Sequence, residues 1–250
     1  MKKQQFGLIG YPLGHSFSMH YFTQRFAQEQ IDAEYVNYEM PTITELPKMI
    51  QARAMLKGLN VTIPYKEQVI PYLDALDPDT AGRLNAVNVI KIIRDHDHYK
   101  LVGYNTDLIG FTNSIKPLLT SSHQKALILG TGGASKAIFQ GLEDLHLIPT
   151  FVSRSKKDGC LTYEELTPQI MATHTVIINC TPVGTYPNVA HCAKIPYHCL
   201  TPNHLLYDLV YNPEETLFLR KGREQGAKTK NGLEMLRLQA EASWDIWQEQ

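Results

Sequence analysis

Short apolar runs alternate with segments of helical period along the whole chain, and the runs become longer and more regular past residue 120. Phe6-Gly7-Leu8-Ile9 is an apolar run closed by Gly10 and Pro12, which predicts a buried strand and a turn. Ser18 can cap a helix to about Gln30, with Tyr21, Phe22, Arg25 and Phe26 on helical spacing. Tyr35 to Met40 reads as a strand and Ile43 to Met55 as a helix. Gly58-Leu59-Asn60-Val61-Thr62-Ile63 is a strand that must stop at Pro64, because proline cannot donate to a sheet ladder. Ala86 to Ile93 and Tyr99 to Gly103 are two strands joined by the polar turn from Arg94 to His98. A helix from Leu108 to Leu119 follows, and Thr120-Ser121-Ser122-His123-Gln124 reads as a linker.

In the second half, strands are expected at Lys125–Leu129, Thr150–Ser153, Thr175–Asn179 and Leu205–Leu209, separated by helical segments. Continuous apolar strands between helices imply a parallel sheet covered on both faces, hence an α/β fold. Glu214 to Gly222 is a helix closed by glycine. The last helix, Leu233 to Gln248, sets Leu233, Leu236, Ala240, Trp244 and Trp247 on one stripe. No internal repeat interrupts the pattern.

Composition narrows the class. The chain has 250 residues, 43% hydrophobic and 20% charged, which is the balance of a packed globular protein. Its 24 basic and 25 acidic residues give a net charge of -1, and no long run of one sign occurs. That argues against nucleic acid or a membrane surface as partner. No apolar stretch approaches the ~18 residues of a membrane span, and no signal peptide is apparent, so a cytoplasmic location is expected. Cys160, Cys180, Cys192 and Cys199 are too sparse for a disulfide framework. His191-Cys192, His198-Cys199 and His204 are spaced too widely for a usual zinc site and lie among Pro187, Pro196 and Pro202. They read as a long loop with free thiols and no metal.

Gly130-Thr131-Gly132-Gly133-Ala134-Ser135-Lys136-Ala137 follows an expected strand and opens an expected helix, the context a dinucleotide fingerprint requires. Gly130 would allow the tight turn, Gly132 would admit a pyrophosphate close to the backbone, and the helix N-terminus would face the phosphates. Ser135 stands where a third glycine is usual. At the end of the next strand, ~20 residues on, an acid normally meets a free ribose 2'-hydroxyl. Here Ser153-Arg154-Ser155-Lys156-Lys157 carries three cations and no acid, which suits a 2'-phosphate and points to NADP. The competing reading is a solvated charged turn.

Three polar segments of the first half end strands. Ser16 and Ser18 suit a carboxylate or a helix cap; Lys66 follows Pro64; Asp107, after Asn105-Thr106, stands where a strand gives way to a helix and can be an N-cap. With their neighbours these segments resemble the shikimate dehydrogenase family. Gly10-Tyr11-Pro12-Leu13-Gly14-His15-Ser16-Phe17-Ser18 is similar to its carboxylate loop, and Gly58 through Lys66 to its lysine segment. Gly103-Tyr104-Asn105-Thr106-Asp107-Leu108-Ile109-Gly110-Phe111 is similar to its aspartate segment. Asn179-Cys180-Thr181-Pro182-Val183-Gly184, Asp208-Leu209-Val210-Tyr211-Asn212-Pro213 and Gly232 through Ala240 match in order, so the resemblance spans nearly the whole chain.

The resemblance implies a catalytic pair, Lys66 and Asp107, and substrate contacts from Ser16, Ser18, Thr62, Lys66, Asn88, Asp107, Tyr211 and Gln239. It implies NADP contacts from Gly130, Gly132, Gly133, Ala134, Ser153, Arg154, Ser155, Lys156, Thr181, Pro182, Gly232 and Met235. A core role for Met235 fits the sequence equally well. The implied fold is an N-terminal α/β substrate-binding domain (residues 1–106 and 232–250), completed by the C-terminal helix, and a Rossmann-like NADP-binding domain (107–231). The implied reaction is NADPH-dependent reduction of 3-dehydroshikimate to shikimate, in aromatic amino acid (chorismate) biosynthesis, by a monomer or homodimer. A quinate/shikimate dehydrogenase of broader substrate and cofactor use and a non-catalytic metabolite sensor are the alternatives. The chain departs from the family at Asn85, Val89, Met19 and Ser153. Asn85 replaces a glycine that needs positive φ, a conformation asparagine tolerates better than most residues.

Overall fold

The computed structural model describes residues 3–14, 17–96 and 98–249. It forms two compact units, Met1–Thr106 with Ala240–Gln250, and Asp107–Gln239.

The first unit holds β1 (Gln4–Gly10), α1 (Phe17–Gln28), β2 (Ala33–Glu39), α2 (Leu46–Gln51), β3 (Leu56–Val61), α3 (Tyr65–Gln68), β4 (Ala75–Leu76), α4 (Ala81–Leu84), β5 (Val89–Asp95) and β6 (His98–Tyr104). Its sheet has the order β2-β1-β3-β5-β6-β4. The β1–β2 and β1–β3 pairs are parallel, while β3–β5 and β5–β6 are antiparallel. Phe6, Phe22, Phe26, Tyr35, Trp244 and Trp247 form a largely aromatic cluster, and Leu46, Ile50, Leu56, Leu59, Val61 and Ile90 belong to another. Gly58 lies under the Trp247 indole, where any side chain would collide, and the indole N–H donates to the Ile90 carbonyl at 3.1 Å.

The second unit holds α5 (Thr106–Ile115, all but its first residue), β7 (Lys125–Leu129), α6 (Gly133–Asp144), β8 (Ile148–Ser153), β9 (Cys160–Thr162), α7 (Pro168–Thr173), β10 (Val176–Asn179), β11 (Leu205–Asp208), α8 (Leu217–Glu224), β12 (Lys228–Lys230) and the start of α9 (Leu233–Gln248). All five strand pairs of its sheet, in the order β12-β11-β10-β7-β8-β9, are parallel. This is a doubly wound sheet whose strand order reverses between β7 and β10, and a ligand crevice is expected beyond the carboxyl ends of those two strands. The α/β class with a Rossmann-like half is the fold the sequence predicts.

Four local expectations change. The helix expected from Ile43 to Met55 is a short 3₁₀ turn followed by α2, with Pro47 in the first turn, where its missing N–H is tolerated. The Thr120–Gln124 segment is not a linker: the units divide at Thr106 and Asp107, and the His123 ring reaches the Asn203 carbonyl at 3.1 Å inside the second unit. On α9, Leu233 is 39% exposed, and Met235 at 8% takes the core position instead. The first turns of α9 count with the second unit up to Gln239, eight residues beyond the expected division at 231 and 232. Gly110 explains this, since a Cβ there would lie 2.7 Å from the Met235 carbonyl and 2.9 Å from the Gln239 nitrogen. The two helices meet backbone to backbone at that glycine.

Candidate functional site

In the first unit, the polar segments gather at one end of the sheet. Thr62 N–H donates to the Ile9 carbonyl at 2.9 Å, and Gly10 lets the chain pass the Thr62 methyl, which a Cβ would approach to 2.5 Å. Tyr65 is buried and its hydroxyl donates to the Met40 carbonyl at 2.5 Å, anchoring the turn that presents Lys66. The Lys66 carbonyl accepts from Val87 N–H at 2.7 Å, and Lys66 is half-buried. Asn88 is buried beside β3 and β6: Val61 N–H donates to its carbonyl at 2.8 Å, and its own N–H donates to the Tyr104 carbonyl at 3.0 Å. Asn85 ends α4 with φ 49° and ψ 43°, the left-handed conformation expected of a glycine replacement. The fold therefore brings Thr62, Lys66 and Asn88 to the same end of one sheet, near the start of α1, where Ser18 lies. Ser16 lies outside the described residues.

In the second unit, the glycine turn sits at the switch point between β7 and β10. Gly130 has φ +100°, and a Cβ there would lie 2.7 Å from the Thr181 methyl. Gly130 thus needs glycine for conformation and for space. A Cβ at Gly132 or Gly133 would meet nothing within 4 Å, so the outer side of the turn is open to close approach. Gly132 is the N-cap of α6, and no side chain among the described residues caps that end. Ser135, in the place of the third glycine, is buried, and its hydroxyl donates to the Gly132 carbonyl at 2.6 Å, folding back on the turn. An open, uncapped helix N-terminus of 12 residues at a switch point fits a dinucleotide pyrophosphate.

The cationic loop after β8 divides its charges. Lys156 pairs with Glu165 at 2.6 Å, and that carboxylate also accepts from Thr162 N–H at 2.7 Å. Lys157 reaches back to the glycine turn, where its ammonium donates to the Thr131 hydroxyl at 2.9 Å. Arg154 and Ser155 are exposed beyond the end of β8, and Ser153 is buried. Lys157, absent from the expected contacts, is therefore the lysine that borders the turn. The signal in the sequence was the run of three cations, which does not say which of them points back.

Thr181 and the loop after β11 hang on a buried polar hub. Asn179 Nδ2 donates to Asp208 Oδ1 at 2.9 Å, and Asn179 Oδ1 accepts the Thr181 hydroxyl at 2.6 Å and its N–H at 3.1 Å. Asp208 accepts also from Val210 N–H at 3.0 Å and the Thr216 hydroxyl at 2.6 Å. Gly232 N–H donates to the Val210 carbonyl at 3.2 Å, and Gly232 presses on the Leu209 carbonyl so closely that no side chain fits. Pro182 and Tyr211 are exposed, Tyr211 three residues past Asp208. Gln239 is buried with its amide donating to the Leu236 carbonyl at 2.8 Å, and Asp107 is the second residue of α5, inside its first turn.

Burial pushes the Asp208 carboxyl up to about 6, against an ordinary 3.8, because three neutral donors only partly replace water. The nearby Cys180 thiol and Tyr197 hydroxyl are themselves pushed up by burial and stay neutral over this range. The folded value lies above the unfolded one, so folding takes up a proton between these limits. Stability from this group therefore rises as pH falls from about 6 towards 3.8, by about 3 kcal/mol in all. Asp208→Asn should lack this rise. Denaturant midpoints measured from pH 7 to pH 4 should diverge, the natural chain gaining on the variant; parallel curves would refute the assignment.

The family model for the shikimate dehydrogenase substrate binding domain matches residues 8–90. A shikimate dehydrogenase (NADP(+)) of Halothermothrix orenii is 35% identical over 266 residues, covering 98% of this chain and 90% of that protein. Shikimate dehydrogenase 1 from Peptoclostridium difficile has a similar structure, with TM-score 0.79 and 40% identity over 98% of this chain and 91% of that one. A shikimate dehydrogenase solved in complex with NADP+ has TM-score 0.84 and 30% identity, over 99% of this chain and 90% of that one. This agreement runs from end to end of the chain at the level of both sequence and fold, and the chain belongs to the shikimate dehydrogenase family.

Proposed function

We propose that this chain catalyses the reversible reduction of 3-dehydroshikimate to shikimate with NADPH. The observation that carries the reading is the open glycine turn at the switch point, with Arg154 just beyond the adjacent strand, in a chain that matches shikimate dehydrogenases along its length. Gly130, Gly132, Gly133 and Ala134 would hold the pyrophosphate; Ser153, Arg154 and Ser155 the adenosine end; Thr181, Pro182, Gly232 and Met235 the nicotinamide end. When bound, NADPH supplies the hydride that reduces the ring ketone.

The rest of the chemistry belongs to side chains. Negative charge that builds on the ketone oxygen needs a positive group and a proton, and the Lys66 ammonium offers both. Asp107 is the partner that orients the reacting hydroxyl. Ser16, Ser18, Thr62, Asn88, Tyr211 and Gln239 would hold the substrate carboxylate and remaining hydroxyls. Initial rates with shikimate and quinate, each with NADP and NAD, test the reading. Shikimate with NADP should be the fastest pair; faster turnover of quinate with NAD would favour the broader-specificity alternative.

The division of charges after β8 yields a narrower expectation. Lys157→Ala should weaken NADPH binding by roughly tenfold, the value of one charge-assisted hydrogen bond, and Lys156→Ala should change it far less. Fluorescence titration with NADPH measures both. Equal losses would mean that the Lys157 contact with Thr131 does not mark the phosphate side of the turn.

A further inference from the structure

A chain of polar side chains crosses the aromatic core of the first unit. The Tyr35 hydroxyl, close to Ser18 of α1, donates to Asn60 Oδ1 at 2.7 Å. Asn60 Nδ2 donates to Ser243 Oγ at 3.1 Å, and Ser243 Oγ lies 3.2 Å from Thr106 Oγ1. Thr106 N–H donates to Asn88 Oδ1 at 2.7 Å, and Asn88 Nδ2 donates to Thr106 Oγ1 at 3.1 Å. Tyr35, Asn60, Asn88, Thr106 and Ser243 are each at most 5% exposed. Their surroundings are apolar: the Tyr35 ring stacks on Phe22 at 4.9 Å, in a cluster with Phe6, Val89, Trp244 and Trp247.

Stability alone does not account for such a chain. A buried hydrogen bond gives little net stabilisation over apolar groups of the same shape, whereas a satisfied network fixes the positions of its members. Each member here sits on a different element, β2, β3, α5 and α9, or, for Asn88, immediately before β5, and Ser18 lies on α1. The chain ends at Tyr35, beside Ser18, and at Asn88. Asn60 stands two residues before Thr62, Thr106 immediately before Asp107, and Ser243 one helical turn after Gln239. Every described residue of the first unit assigned to substrate, apart from Lys66, is thus a member of the chain, beside one, or within two residues of one.

We infer that this polar chain is the frame that aligns the substrate-holding residues, with Tyr35, Asn60 and Ser243 as positioning residues. The inference rests on the proposed function. Tyr35, Asn60 and Ser243 are buried, so they act through Ser18, Asn88 and Thr106. Removing one hydroxyl frees the groups it tied and leaves its partner unsatisfied, which displaces both ends of the frame.

Tyr35→Phe keeps the ring and its stacking, and Ser243→Ala keeps the helix; both lose only an oxygen. In each, the KM for shikimate should rise by about five- to tenfold, the effect of one buried hydrogen bond, while the Kd for NADP stays within about twofold. Ser114→Ala is the control: it breaks the buried Ser114–Tyr207 hydroxyl pair, 2.8 Å apart in the second unit, and should lower stability without moving the shikimate KM. A shikimate KM within about twofold of the natural value in both folded variants would overturn the inference, as would a matching rise in the NADP Kd. If Tyr35→Phe does not fold, Ser243→Ala decides. Failure of the natural chain to oxidise shikimate would be seen before any variant is made, and would remove the functional reading and this frame together.

Discussion

Lys66→Ala is expected to lower kcat for shikimate oxidation by about 10²–10⁴-fold, the usual contribution of a general acid–base group. Lys66 is half-buried on a four-residue helix whose anchors are its neighbours: the buried Tyr65, bonded to the Met40 carbonyl, and the Lys66 backbone, bonded to Val87. None of these contacts uses the Lys66 ammonium, so the turn should survive the change. NADPH binding, measured by fluorescence titration, should be unaltered, because the glycine turn lies in the other unit. A kcat within about threefold of the natural value would remove Lys66 from the chemistry.

Arg154→Ala is expected to weaken NADP by about 10- to 150-fold, corresponding to the ~1.5–3 kcal/mol of a hydrogen bond to a charged group, and to leave NAD unchanged. The selectivity is the informative part. Arg154 is exposed, so its loss creates no cavity and removes no buried partner. A carboxylate at the equivalent strand end would repel a 2'-phosphate, and the described loop offers Arg154 and Lys157 instead, with Lys156 drawn to Glu165. Steady-state KM values for both cofactors measure the effect. Parallel losses with NADP and NAD would show that Arg154 holds adenine or the loop itself rather than the phosphate.

The parts of the molecule that were legible in the sequence are those with local causes. The apolar strands of the second unit and the Gly130 turn each follow from a few adjacent residues, and the positive φ of Asn85 follows from the family glycine it replaces. The parts that were not legible depend on distant partners. His123 looks like linker composition until its ring meets a carbonyl 80 residues away. Lys156 and Lys157 are indistinguishable as a dipeptide; Glu165 and Thr131 separate them, and Thr131 lies 26 residues back. The frame through Tyr35 and Ser243 is furthest from view, since Asn60 reaches partners 25 and 183 residues distant. Its members read singly as an unremarkable strand tyrosine and a helix serine. The motif residues of the site were visible; the groups that align them were not.

This chain is expected to move a hydride between a nicotinamide and the shikimate ring. The most direct test incubates the protein with 3-dehydroshikimate and NADPH carrying deuterium at C4, labelled on one face in one sample and on the other face in a second. Shikimate one mass unit heavier is expected in one sample only, with the label on the carbon that was the ketone. Unlabelled shikimate, or none, from both samples with folded protein that binds NADPH would contradict it.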